Sequence, residues 1–214
     1  MVTPTHCYVL LGPPGSGKGT QAEVLAQVFL VPHVSTGDMF RTAIAASTEL
    51  GQRVAGLLKA GQLVPDDATN QVVAERLKQP DASSGFVLDG YPRSLRQAVF
   101  LQSLAPEARA VLIELPDDEA VRRIAGRRTC SSCYAIYHVD FKPPRQAGVC
   151  DVCGNALVQR NDQTEAVVRD RLAVYHAQTE PLVAFYQAAG TLIRVNGLPP
   201  IPEVTAAIRA ALAV

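Results

Sequence analysis

The chain has 214 residues, which suits one domain or a core carrying small insertions, and is long enough to bury a large apolar core. Hydrophobic residues make up 48% and charged residues 19%, the balance of a globular chain rather than a disordered one. The formal net charge is +0, which argues against a surface made for nucleic acid or anionic membrane, and no apolar run approaches the roughly 18 residues of a membrane span.

Taken in order, Cys7-Tyr8-Val9-Leu10-Leu11 reads as a short buried strand. Gly12 to Thr20 follows, with Gly12, Gly17 and Lys18 at the spacing of G-x-x-x-x-G-K. Ala22, Leu25, Ala26 and Phe29 then mark one face of a helix. Strand, glycine loop and helix together form the context of a phosphate cradle. Glycines let backbone N–H groups turn in around an anion, the helix N-terminus adds positive dipole, and Lys18 adds a mobile charge. The residue after Lys18 is Gly19, and the hydroxyl comes one later at Thr20, so Mg²⁺ loses its usual direct hydroxyl ligand.

Val31 to Val34 is a second short strand, and Ser35-Thr36-Gly37-Asp38 opens a helical stretch to about Lys59, broken near Ser47-Thr48. Pro65-Asp66-Asp67 starts another helix, with Val73 and Leu77 inward. Phe86 to Asp89 is a third strand, with Gly90-Tyr91-Pro92-Arg93 turning at its end. Leu95 to Leu104 is helical, Ala110 to Leu115 is a fourth strand, and Asp117, Asp118 and Glu119 put negative charge in the first turn of the next helix. After a polar segment from about Arg128 to Gln163, helix returns with Val168, Leu172 and Tyr175 on one face. Pro181 starts a helix that stops at Gly190, Leu192 to Val195 is a fifth strand, and Val204, Ala207, Ile208 and Leu212 line a last helix. Alternating apolar strands and helices predict an α/β fold with a parallel sheet covered on both faces. Ligands in such sheets sit at the C-terminal ends of the strands, where Gly12–Thr20, Thr36 and Asp89–Arg93 converge.

Cys130, Cys133, Cys150 and Cys153 follow the pattern C-x2-C-x16-C-x2-C, a zinc signal; two disulfides or four free thiols are the rival readings. Four thiolates close a tetrahedron and leave no position for a catalytic water, so the metal reads as a structural staple. Cys7 reads as a small buried hydrophobe, and His138, beside four sufficient cysteines, as a surface side chain. No leader precedes the first strand, and the intact thiols point to a reducing, cytoplasmic setting. Arg41, Arg93, Arg123, Arg127, Arg160 and Arg171 sit beside turns or the ends of the cysteine segment, implying a polyanionic ligand. Arg96, Arg122 and Arg169 read as solvated helix faces. No histidine falls in a candidate site motif.

These motifs, with Ser35 to Arg41, Asp89 to Arg93 and Gln97, Arg123 to Arg128, and Arg160-Asn161-Asp162 with Arg171, resemble the adenylate kinase family of the long bacterial type. The resemblance covers almost the whole chain and implies ATP + AMP = 2 ADP with Mg²⁺, structural Zn²⁺ and action as a monomer. It implies a discontinuous P-loop core (1–34, 65–126, 164–214), a monophosphate-binding insertion (35–64) and a small zinc-stapled β lid (127–163). ATP would be held by Gly12, Gly15, Ser16, Gly17, Lys18, Gly19, Thr20, Arg123, Arg127, Tyr137, Gly197 and Leu198. AMP would be held by Thr36, Arg41, Gln62, Leu63, Val64, Gly90, Arg93, Gln97, Arg160 and Arg171, with Gln97 reading the adenine edge. Asp89 would orient Mg²⁺ through water, and Lys18, Arg93, Arg127, Arg160 and Arg171 would carry catalysis. Two positions depart from the family pattern: Gln163 stands where a second acid is common, and Pro199 where a lysine is common. A kinase for UMP, CMP or GMP is the nearest alternative; an ATP-dependent nucleic-acid-binding protein with a zinc ribbon, and a switch-type ATPase, are more remote.

Overall fold

A computed structural model describes residues 6–60, 62–160 and 163–213. The first half runs β1 (His6–Leu11), α1 (Lys18–Phe29), β2 (His33–Ser35), α2 (Thr36–Ala45), α3 (Glu49–Lys59), α4 (Asp66–Leu77), β3 (Gly85–Asp89) and α5 (Leu95–Leu104). The second half runs β4 (Arg109–Glu114), α6 (Asp117–Ala125), β5 (Arg127–Cys130), β6 (Ile136–His138), β7 (Leu157–Val158), α7 (Glu165–Val174), α8 (Leu182–Ala188), β8 (Leu192–Asn196) and α9 (Ile201–Leu212).

Five strands form a parallel sheet in the order β2-β3-β1-β4-β8. Its strands are apolar at nearly every position because helices cover both faces. Cys7, Val9, Leu11, Leu88 and Leu112 point to one side and pack with Ala98, Leu101, Leu182 and Tyr186 from α5 and α8. Tyr8, Leu10, Val87, Val111 and Ile113 point to the other and pack with Ala22 and Leu25 of α1 and Val204, Ile208 and Leu212 of α9. Side chains such as Leu25 and Ile208, fully buried, contribute about 1.5–3 kcal/mol each by leaving water. Among the described residues, no helix is long and apolar enough to cross a membrane.

Two small units stand out from the sheet. After β2, α2 and α3 pack on each other around Phe40 and Val54, with Val64, Ile44 and Leu58. The break between them is capped: the Thr48 side chain accepts from the Gly51 N–H at 3.1 Å, and Ser47 takes a positive φ of 51°. After α6, β6-β5-β7 form a three-stranded antiparallel sheet around Cys130, Tyr137 and Cys150.

Three local expectations shift. The second strand is His33–Ser35 rather than 31–34, because the Val31 N–H turns back to the Ala26 carbonyl and closes α1. Ala207 is exposed: the inward stripe of α9 recurs every fourth residue at Val204, Ile208 and Leu212. Tyr175 is only half-buried, since the chain widens into a π turn from Tyr175 to Thr179.

Candidate active site

The parallel register puts the site together. Leu10 of β1 and Ser35 of β2 both lie beside Asp89, the last residue of β3, so the three loops that follow these strands open on one mouth. They frame a cleft of about 480 Å³ whose walls include Gly12, Gly15, Gly17, Lys18, Gly19, Thr20, Arg41, Gln62, Leu63, Asp89, Gly90, Arg93, Arg127, Arg160 and Arg171. Of the expected site residues, Ser16, Thr36, Val64 and Gln97 are buried just behind that wall, and Arg123, Tyr137, Gly197 and Leu198 stand outside it. Asn161 and Asp162 lie outside the described residues.

The cradle needs its first glycine. Gly12 has φ 140°, and a Cβ there would lie 2.4 Å from the Ile113 carbonyl oxygen of the neighbouring strand. Lys18, at the first turn of α1, folds back and donates to the carbonyls of Gly12 and Pro13, each at 2.8 Å. Burial pushes its ammonium down to about 7; Asp89 opposes this, while Arg93, Arg171 and Arg127 add to it. Lys18, Arg93, Arg127 and Arg171 all line the cleft, so four cations share it. A Cβ on Gly19 would come within 3.3 Å of Asp89 Oδ2, so the carboxylate faces the loop at the point where the common hydroxyl is missing.

The turn after β3 is cross-braced. The Gly90 carbonyl accepts from Thr36 Oγ1 and from Arg93 Nε, both at 2.9 Å. Gly90 has φ 78°, and a Cβ there would meet Arg93 and Thr36 side-chain atoms at 3.0 Å. The Arg93 N–H donates to Gln97 Oε1 at 2.7 Å, and its carbonyl accepts from Thr179. Arg41 pairs with Asp38 at the start of α2.

On the far side of the cradle, Arg123 donates through Nε to Glu119 and through its two terminal nitrogens to the carbonyls of Gly197 and Leu198, each at 2.9 Å. Its guanidinium also lies 5.4 Å from the Phe141 ring centre. Arg96, Arg122 and Arg169 are exposed and paired with Asp67, Glu119 and Glu165, as solvated helix faces are. The Arg122 guanidinium, with Arg123 behind it, holds the Glu119 carboxyl down to about 2.

In the small antiparallel unit the four cysteine sulfurs all lie within 4.8 Å of one another. Cys130 and Cys153 are 3.4 Å apart and Cys133 and Cys150 3.6 Å, well beyond a bond of about 2.05 Å, so the disulfide reading fails. A tetrahedron of sulfurs at about 2.3 Å from an ion has edges of about 3.8 Å, close to these spacings, so the donor set fits a metal. The Asn155 side chain, with its backbone N–H, holds the Cys153 thiol down to about 6. Tyr137 turns its hydroxyl inward to Cys150 Sγ and to the Asp151 N–H, which donates to it at 2.8 Å. Its side chain therefore serves the cysteines, and its neighbour Ile136 lines the cleft instead. His138 is not the surface side chain that the sequence suggests: its Nδ1 accepts from the Asp140 and Phe141 N–H groups and its ring packs on Phe141. Cys7 is buried in the core, as expected.

Sequence reasoning missed His33, Ile44, Leu58 and Thr179, all on the cleft wall. The apolar ones belong to the α2–α3 unit, and nothing in their spacing separates cleft-facing from core-facing positions.

The family model for adenylate kinase matches residues 10–191. A curated adenylate kinase of Streptomyces avermitilis is 50% identical over 203 residues, covering 92% of this chain and 92% of its own length. Those of Moorella thermoacetica and Symbiobacterium thermophilum are 50% and 49% identical over 209 residues, each covering 95% of this chain and 96% and 97% of their own.

Proposed function

The chain belongs to the adenylate kinase family, a phosphotransferase with a phosphate group as acceptor, and from that premise we propose how its own residues carry out ATP + AMP = 2 ADP. The crowding of Lys18, Arg93, Arg127 and Arg171 at one end of the glycine cradle supports the reading best. Such a cluster is matched by a donor triphosphate and an acceptor monophosphate meeting end to end.

The cradle from Gly12 to Thr20, including Gly15, Ser16, Gly17 and Gly19, wraps the donor phosphates with backbone N–H groups. Lys18 leaves the Gly12 and Pro13 carbonyls for them. Arg123 and the Gly197 and Leu198 carbonyls border the donor's adenine; Tyr137 contributes through its backbone beside Ile136. Thr36, Arg41, Gln62, Leu63, Val64, Gly90, Arg93 and Gln97 hold AMP, and Arg127, Arg160 and Arg171 close over the phosphates. A Gln97 amide has two N–H groups and two lone pairs; its bonds to Asp66 and the Arg93 N–H use one of each, and on this reading the other two take the adenine edge.

The acceptor phosphate is already ionised near pH 7, so no base is needed to create the nucleophile. His33 on the wall therefore has no proton to remove. Catalysis comes from alignment and from cations fixed where charge spreads in transfer. Asp89 would hold Mg²⁺ through water, and the ion when bound would supply charge neutralisation to the donor's phosphates. The units 35–64 and 127–163 act as the monophosphate-binding insertion and the lid on the core (1–34, 65–126, 164–214), and a closed lid excludes the water that would hydrolyse ATP. Cys130, Cys133, Cys150 and Cys153 would hold zinc, which would staple that lid. The chain acts as a monomer, and cysteine sulfurs spaced beyond a disulfide bond support a reducing, cytoplasmic setting.

The test is ADP formation from Mg-ATP alone and with AMP, GMP, CMP or UMP. We expect turnover only with an acceptor and fastest with AMP. Comparable turnover without any acceptor, or a preference for another monophosphate, overturns the reading.

A further inference from the structure

We propose that Asp66 is a positioning residue that sets acceptor specificity: it locks the Gln97 amide in one orientation, so that the amide matches adenine and mismatches guanine. The proposal rests on the reading of Gln97 as the acceptor's base contact. Gln97 Nε2 donates to Asp66 Oδ1 at 2.7 Å, and Gln97 Oε1 accepts from the Arg93 N–H at 2.7 Å. A carboxylate can only accept and a backbone N–H can only donate. Turning the amide over would set oxygen against oxygen at Asp66 and NH₂ against N–H at Arg93, losing both bonds. Gln97 is 2% exposed, so water does not replace them.

Asp66 is itself held. Its Oδ2 accepts from Ser94 Oγ at 2.9 Å, and it sits in the first turn of α4, where the helix dipole favours a carboxylate. The Tyr91 hydroxyl donates to Asn70 Oδ1 at 2.7 Å and lies 3.3 Å from the Gln97 backbone carbonyl, which steadies the start of α5 behind the amide. The lock matters because adenine and guanine present the same two positions in opposite sense. Adenine offers an N6–H donor beside the N1 acceptor; guanine offers the O6 acceptor beside an N1–H donor. A freely turning amide serves either base, whereas one fixed between Asp66 and Arg93 serves only one. Discrimination then comes from a buried polar group that the wrong base cannot pair.

The experiment compares kcat and KM for AMP and GMP in the wild-type chain, Asp66→Asn and Gln97→Ala. An asparagine at 66 both donates and accepts, so it removes the penalty at that end of the amide, while the Arg93 N–H still favours Oε1. We expect Asp66→Asn to raise the GMP-to-AMP ratio of kcat/KM about tenfold, carried by the acceptor KM, with the KM for ATP unchanged. An unchanged ratio in Asp66→Asn, with a collapsed ratio in Gln97→Ala, overturns the lock and keeps the base contact. A wild-type ratio in Gln97→Ala overturns both. If Asp66→Asn fails to fold, Asp66→Ala removes the same acceptor and is read against the same outcomes.

Discussion

Lys18 Nζ donates to the Gly12 carbonyl at 2.8 Å, across the loop whose N–H groups are proposed to take phosphate. The ammonium is thus held by its own cradle until an anion arrives, and burial beside Arg93, Arg171 and Arg127 pushes it down to about 7. An ordinary lysine, at 10.5, keeps its proton in the unfolded chain to a higher pH. Between about pH 7 and 10.5 the unfolded state therefore binds more protons, and this group's contribution to stability rises with pH. Urea titrations at pH 7.5 and 9.5 check it: the wild-type chain gains stability relative to Lys18→Met as pH rises, and an equal difference at both values excludes a depressed Lys18. Triphosphate beside Lys18 raises its affinity for a proton, so at pH 8 ATP binding takes up protons in calorimetry, and the uptake shrinks in Lys18→Met.

The same residue bears on rate. Removing a cation from the transferring phosphoryl group costs roughly 10³-fold in comparable sites. Lys18→Ala and Arg93→Ala are each expected to lose about that much kcat while circular dichroism stays near wild type and the thermal midpoint does not fall. Arg93 is braced by the Gly90 carbonyl and Gln97, so Arg93→Lys, which loses the Nε donor, recovers little. Near-normal turnover in either alanine variant would remove the residue it replaces from the transition state.

The cysteine cluster is a separable element, with its own small core of Cys130, Tyr137 and Cys150. On the proposed reading, a metal there would stabilise the lid more than it touches phosphate chemistry. Chelation is expected to lower the thermal midpoint by about 5 °C or more, the equivalent of a few kcal/mol in a chain of this size. Initial activity at low temperature changes much less. Immediate loss of catalysis without a thermal shift would place the metal in the reaction.

Much of this was legible in the residues. The cradle, the sheet and the four cysteines are short-range patterns, and each was readable from spacing alone. What spacing missed is long-range. Asp66 and Gln97 are far apart in sequence, and only the packing of α4 against α5 brings them together. Tyr137 alternates along β6 with Ile136, and a shift of one residue decides which of the two meets the cleft and which meets Cys150. Three antiparallel strands in a polar segment give no apolar run long enough to fix that phase.

His176 joins the start of α6 to the π turn. Its Nε2 lies 2.9 Å from Asp117 Oδ2, and its Nδ1 lies 2.8 Å from Glu180 Oε2. Glu180, then Asp117, raises the imidazole above its usual 6.5. A group raised on folding stabilises fully below its unfolded value and loses that contribution as pH climbs through the folded one. The pair is exposed, so screening keeps the effect small. His176→Ala is expected to lower the thermal midpoint at pH 6 and leave it nearly unchanged at pH 9, with the difference reduced in high salt. Equal destabilisation at both pH values would mean that His176 acts through packing and that its charge does not hold the π turn to α6.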